Sequence, residues 1–270
     1  MDSHFFRFEK TALHYSIYGN GKKALLGFHG YGQNRENLKV LEESLGLEFT
    51  IYAFDLFFHG ESIWQEKGKL LTKEYWSGII AVFLQERNIE TFSVLGFSMG
   101  AKFALAMLEQ FPHKISEVIL IAPDGIKVNC WYRLVTSFGV LRKVFKKVIV
   151  HPAIYFRLVS LLMKIRLIDK GIIRFSNTQM QTGGQRARLF YSWTTFRLLR
   201  FDLNTLAQQI NQHQIKVHFF LGSFDQIIPL KNILPFARKI KNFDIHVLES
   251  GHTHLLQAVN QFFKDKNSGK

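Results

Sequence analysis

Residues 94–103 read Val-Leu-Gly-Phe-Ser-Met-Gly-Ala-Lys-Phe, with Ser98 between two glycines where one apolar pattern gives way to another. Ahead of it, Phe92-Ser93-Val94-Leu95 is short, apolar and flanked by polar residues, the pattern of a buried strand. Behind it, Ala101, Phe103, Ala104, Leu105, Met107 and Leu108 recur at helical spacing. The junction is strand, tight turn, helix, with Ser98 at the apex. Gly96 and Gly100 suit such a turn because they carry no Cβ to collide with the strand or the helix. The serine hydroxyl then points away from the sheet, beside a backbone N–H at a helix N-terminus. Glycine and serine are also ordinary turn residues, and Gly-x-Ser-x-Gly arises by chance. The rest of the chain has to decide its meaning.

The chain of 270 residues is long enough for one large domain, or for a domain with an inserted lobe. Apolar residues make up 47% and charged residues 21%, a globular mixture rather than a disordered one. A single cysteine excludes an internal disulfide and fits a reducing compartment. The opening residues, MDSHFFRFEK, lack the basic start and apolar core of a signal peptide. No uncharged apolar run reaches about 18 residues. These features predict a cytoplasmic protein, with a peripheral membrane association left open. The net charge of +14 is unevenly placed. Lys127 to Arg200 holds fifteen Lys/Arg and one acid, Asp169, whereas the remainder balances to zero. Charge this segregated predicts a separate structural unit with its own partner or surface role.

Outside that segment strand and helix alternate. Strand-like runs fall at Leu25–Phe28, Phe49–Phe54, Phe92–Leu95, Val118–Ile121, Val217–Leu221 and Ile245–Leu248. Helical stretches fall at Leu38–Leu45, Lys73–Gln85, Ala101–Gln110 and Ile233–Ile240, and a hairpin from Phe5–Phe8 and His14–Tyr18 precedes them. The fold class is α/β, a mostly parallel central sheet covered by helices on both faces. The long interval between Val118–Ile121 and Val217–Leu221 exceeds any ordinary crossover. Within it Leu134, Phe138, Leu141, Phe145 and Val148 share a helical face, and further amphipathic stretches follow at Ile154–Ile168 and Leu189–Leu199. The expected organisation is a core of residues 1–125 and 206–270, with a basic helical lid at 126–205 inserted after the fourth parallel strand.

In such sheets the reacting groups lie on loops beyond the carboxyl ends of the strands. After Leu25–Phe28 comes His29-Gly30-Tyr31-Gly32, whose backbone suits an oxyanion hole; the amides of Tyr31 and Met99 are the natural pair. After Phe49–Phe54 comes Asp55-Leu56-Phe57-Phe58-His59-Gly60-Glu61-Ser62, read as a structural turn whose polar side chains satisfy loop backbone. After Val217–Leu221 comes Gly222-Ser223-Phe224-Asp225, and after Ile245–Leu248 comes Glu249-Ser250-Gly251-His252. The chain order Ser98, Asp225, His252 is the order expected for a nucleophile elbow on this sheet. A serine hydroxyl is a poor nucleophile until a base takes its proton, and the base works best when a buried carboxylate fixes its tautomer. Asp124, in a loop Asp-Gly turn, and His254 are the alternatives for the acid and the base.

HGYG at 29–32, DLFFHGES at 55–62, GFSMG at 96–100, GSFDQIIP at 222–229 and SGH at 250–252 occur in this order, each after an expected strand. Together the chain resembles the α/β-hydrolase fold superfamily, in its lid-bearing branch of small serine esterases and related hydrolases. The resemblance covers nearly the whole chain and says least about the lid. It implies a serine hydrolase with the triad Ser98–Asp225–His252 and no cofactor. It also implies that Gln257, where relatives often carry glutamate, is a departure affecting packing rather than chemistry. Serine at the elbow argues against relatives with an aspartate nucleophile. No metal-ligand cluster, phosphate loop or dinucleotide fingerprint stands out in the sequence. Hydrolysis of an ester or thioester through an acyl-enzyme is the central expectation. Carbon–carbon bond hydrolysis, acyl transfer and non-catalytic ligand sensing are the alternatives. The basic lid, with Arg142, Lys143, Lys146 and Lys147, suggests an acylated substrate with an anionic handle, an acidic carrier protein or an anionic membrane surface. Nucleic acid is disfavoured, because no recognised module accompanies the charge.

Overall fold

The computed structural model describes residues 3–66, 68–128, 130–164 and 176–269. The chain divides into two compact units, one of residues 1–127 with 199–270 and the other of residues 128–198.

The first unit is built on a nine-stranded mixed sheet. Its strands are β1 (Ser3–Phe8), β2 (Thr11–Tyr18), β3 (Lys23–Phe28), β4 (Phe49–Phe54), β5 (Ile63–Trp64), β6 (Phe92–Phe97), β7 (Ile115–Ile121), β8 (Lys216–Gly222) and β9 (Phe243–Leu248). The order is β1-β2-β4-β3-β6-β7-β8-β9, with β5 paired to β2. β1, β4 and β5 each run antiparallel to β2, and every pairing from β4 through β9 is parallel. A parallel sheet covered on both faces needs strands apolar on both faces. β6 supplies one, with all six residues buried.

Alternation divides the core between the two faces. Leu25, Ile51, Leu95, Ile119 and Phe220 pack with Leu38, Leu41 and Leu45, and with Leu255, Leu256 and Val259 of the C-terminal helix Leu255–Asn267. On the other face, Phe28 meets Trp76 edge-on at 5.5 Å and Phe54 meets Phe83 at 5.0 Å. Trp76 and Phe83 belong to α1 (Lys73–Glu86), and Trp76 also meets Phe103 of α2 (Gly100–Gln110) at 5.0 Å. The predicted helix at Leu38–Leu45 is a 3-10 stretch, Arg35–Leu41, running into the helical turn Glu42–Leu45.

The second unit is helical in its described residues: α3 (Cys130–Ser137), α4 (Gly139–Val150), α5 (Pro152–Lys164) and α6 (Gly183–Thr195), closed by a 3-10 turn at Phe196–Leu198. Phe145 of α4 packs on Phe190 and Trp193 of α6, each at 5.6 Å, and Trp193 meets Tyr132 of α3 at 5.2 Å. The single helical face expected from Leu134 to Val148 is broken. Phe138 is extended, at φ −95° and ψ 132°, and it and Leu134 are exposed. Gly139 follows, a poor helix former, and Arg142 Nη1 caps the preceding helix by donating to the carbonyls of Thr136 and Ser137 at 2.9 Å. The last four residues of the predicted stretch Ile154–Ile168, 165–168, lie outside the described residues.

The expected boundary at residue 205 moves to 198. Asp202 caps α7 (Leu203–Gln212) by accepting from the Asn204 and Thr205 amides, and Leu206, Ala207 and Ile210 are buried. That helix belongs to the sheet-bearing unit. Among the described residues no helix is long and apolar enough to cross a membrane.

Candidate active site

β6 ends at Phe97 and α2 begins at Gly100, which leaves two residues for the turn. Ser98 takes φ +50°, the left-handed region, at a cost of about 1–3 kcal/mol for a residue with a side chain. The turn holds because its backbone is paired on both sides. Ser98 N donates to Ile121 O at 2.9 Å, and Ser98 O accepts from Ala101 N and Asp124 N, both at 3.0 Å. A Cβ on Gly100 would lie 2.1 Å from Phe28 O and 2.6 Å from His29 O. A Cβ on Gly96 would lie 2.5 Å from Ala101 Cα. The start of α2 is thus pressed against the backbone that leaves β3, and no side chain fits between.

Asp225 and His252 come from the loops after β8 and β9, neighbouring parallel strands with Gly222 opposite Leu248. His252 Nε2 lies 3.0 Å from Ser98 Oγ, and its Nδ1 lies 2.6 Å from Asp225 Oδ2. Asp225 Oδ1 accepts from Ile227 N at 2.8 Å and Ile228 N at 2.9 Å, so both oxygens of this buried carboxylate are used. Burial pushes the carboxyl's pKa up. The hydrogen bond and charge of His252, with the two amides, outweigh that and hold it below the usual carboxylate range. The ring of Phe97 lies 5.3 Å from that of His252.

Asp124, the alternative acid, is engaged elsewhere. Asp124 pairs with Lys102 Nζ at 2.8 Å and accepts from Gly125 N, and His254 is exposed. Gln257 is exposed too, on the outer side of the C-terminal helix.

The HGYG loop is fixed from several sides. Leu56 N donates to His29 Nε2 at 3.0 Å, so His29 Nδ1 carries the proton it gives to Gly30 O at 2.7 Å. Gln33 Oε1 accepts from Gly30 N, and Gln33 N returns to Gly30 O. Tyr31 is half-buried against His59, and Met99, first residue after the serine, is the cap of α2. The Met99 amide therefore sits at the positive end of the helix dipole.

Behind this loop lies a hub that sequence reading did not resolve. Asp55 is fully buried; its Oδ1 accepts from Arg35 N at 2.7 Å, and its Oδ2 from Arg35 Nη1 and Glu61 N, each at 2.9 Å. His14 Nδ1 lies 3.1 Å from Oδ2, and Ser62 Oγ donates to Asp55 O at 2.7 Å. The expected role of this turn, satisfying loop backbone, is what Asp55 and Ser62 do. The pairing of Asp55 with Arg35 has no signal in the sequence, because twenty residues separate the partners and nothing in the pattern links them.

In the helical unit, Arg142, Lys143 and Lys146 line an open surface cleft of about 320 Å³ together with Arg197, Phe190 and Thr194, and no carboxylate among the described residues lines it. Lys147 is exposed and is not part of it. Arg197 was missed because it stands more than fifty residues away, on the turn after α6.

Residues 23–146 match the family model described as the alpha/beta hydrolase fold. Over 122 residues the chain is 31% identical to the dihydrolipoyllysine-residue acetyltransferase component of an acetoin cleaving system from Cupriavidus necator, covering 44% of this chain and 32% of that protein. The chain thus matches about a third of the length of such curated relatives. Among solved structures, a thermophilic esterase from Thermogutta terrifontis aligns with a TM-score of 0.67 at 20% identity, covering 96% of this chain and 92% of its own. An enol-lactonase from Burkholderia xenovorans aligns at 0.66 and 16% identity, covering 98% of each chain. The match over residues 23–146 and the two structural alignments give the chain the alpha/beta hydrolase fold.

Proposed function

We propose that the protein is a serine hydrolase that cleaves a carboxylic ester or thioester through an acyl-enzyme. One observation carries this: a serine strained at a strand–helix elbow, 3.0 Å from an imidazole that is itself 2.6 Å from a buried carboxylate. His252 Nε2 takes the hydroxyl proton as Ser98 Oγ attacks the carbonyl carbon. The tetrahedral oxyanion is received by the amides of Met99 and Tyr31. His252 then gives its proton to the departing alcohol or thiol, and Asp225 keeps the imidazole in the tautomer and orientation that both transfers need. Water, activated by the same histidine, releases the acid and restores Ser98.

Esterase and lactonase structures among the fold neighbours agree with hydrolysis. Acyl transfer is the second reading, favoured by relatives named acetyltransferases; it differs only in the nucleophile that takes the acyl group from Ser98. For the substrate, the cleft ringed by Arg142, Lys143, Lys146 and Arg197 supports an acylated molecule with an anionic handle. In this reading the helical unit is the lid.

The test is turnover on a panel of acyl esters and thioesters, with and without an acceptor alcohol. Ser98→Ala and His252→Ala should each lower kcat on the order of 10⁴–10⁶-fold. Near-native hydrolysis by Ser98→Ala would end the proposal. Ester formation outpacing hydrolysis would favour transfer.

A further inference from the structure

β8 and β9 present Asp225 and His252 from their carboxyl ends; their opposite ends carry a second set of polar side chains that this chemistry does not use. His218 pairs in register with Asp244, and Phe220 with His246. Alternate residues of a strand share a face, so His218, Asp244 and His246 all project from the same side of the sheet. One ligand atom from each lies within 4.8 Å of the others.

The His218–Asp244 spacing suits coordination better than hydrogen bonding. His218 Nδ1 stands 3.4 Å from Asp244 Oδ2, beyond the usual N–H···O distance. Two ligands each about 2.0–2.1 Å from a tetrahedral ion are separated by about 3.3 Å. The other ring nitrogen, His218 Nε2, faces Glu117 Oε2 of β7, also at 3.4 Å. A metal-bound histidine usually gives its second N–H to such an outer carboxylate, which fixes the tautomer that leaves the first nitrogen free to coordinate. The His246 ring packs against Phe220 and Phe262, at 4.9 and 4.4 Å between centroids. Its position is therefore set by packing.

We propose that His218, Asp244 and His246 bind one divalent ion of the zinc type, with Glu117 as the outer partner of His218. Two imidazoles and one carboxylate suit borderline cations rather than magnesium or calcium, which take oxygen ligands. Lys216 is the internal competitor: its Nζ lies 3.0 Å from Asp244 Oδ2, on a flexible and partly exposed stem. Binding displaces that ammonium into solvent. The bound ion clasps β8 to β9 at the end opposite the two loops that approach Ser98. Its effect is on the stability of that strand pair and not on the acyl chemistry, so the site stands or falls independently of the proposed hydrolase.

The experiment uses the untagged full-length protein after chelation, titrated with zinc chloride by calorimetry and with cobalt(II) by visible absorption. One saturable equivalent is expected, with the intense cobalt bands of a four- or five-coordinate nitrogen–oxygen site and a rise in Tm as zinc saturates. His246→Asn and Asp244→Asn should abolish both signals. Glu117→Gln should weaken zinc about 10-fold or more. Lys216→Met, which keeps all three ligands, should tighten it several-fold. Zinc binding that survives His246→Asn and Asp244→Asn unchanged would overturn the site, as would no saturable binding by either the native protein or Lys216→Met.

Discussion

At the scale of single residues, the elbow depends on what is missing from Gly100. An alanine there would place a methyl 2.1 Å from Phe28 O, which is backbone and cannot turn aside. Gly100→Ala should cost about 1–3 kcal/mol or more and push α2 off the HGYG loop. Chemical denaturation and kcat should fall together, and a variant with native stability and turnover would show that the junction is looser than described. Asp225 makes a prediction about pH. Its pKa is lower folded than unfolded, so its stabilisation is complete above the unfolded carboxylate pKa of about 4. It is lost as pH falls through the folded value. Asp225→Asn should therefore lower Tm at neutral pH and flatten the decline of Tm on the acid side. Parallel profiles for the two proteins would contradict it. Both residues were legible from the chain: a small residue after a serine, and a carboxylate after an apolar run.

Elements were legible in proportion to how completely they are buried. β6 and β4 show as short runs that are apolar apart from Ser93 and Thr50, because both faces of the sheet are covered, whereas β5 has two residues and no period to read. The C-terminal helix hides its stripe of Leu255, Leu256, Val259, Phe262 and Phe263 among polar residues, and it follows the last strand rather than lying between two. In the helical unit the helical spacing that runs from Leu134 is interrupted at the extended Phe138, between two separate helices. The Asp55 hub joins β2, the 3-10 stretch Arg35–Leu41 and the loop after β4 through side chains that no periodicity connects. Arg35 is buried with it, so Asp55→Asn leaves a cation undercompensated and should cost about 3–5 kcal/mol. Urea unfolding measures this directly. A loss below about 1 kcal/mol would mean that the pair contributes no more than an exposed one.

For the whole molecule, the separation of charge is the feature with the largest consequence for encounter. The segment from Lys127 to Arg200 carries the entire net +14, and part of it rings an open cleft with no carboxylate among its described lining residues. A thioester with a phosphorylated handle should lose kcat/KM by about fivefold or more as ionic strength rises, while a small neutral ester changes by less than about twofold. Lys143→Glu with Arg197→Glu should reproduce the difference at low salt; equal responses of the two substrates would make the basic unit a solvated surface. All of this presupposes that Ser98 is the nucleophile, and covalent labelling of the intact protein reports on that most directly. A fluorophosphonate probe should add one adduct mass per chain. Peptide mapping should place it on Ser98, and His252→Ala should label far more slowly. A stoichiometric adduct on any other residue, or full ester turnover by a protein that the probe does not label, would contradict the assignment.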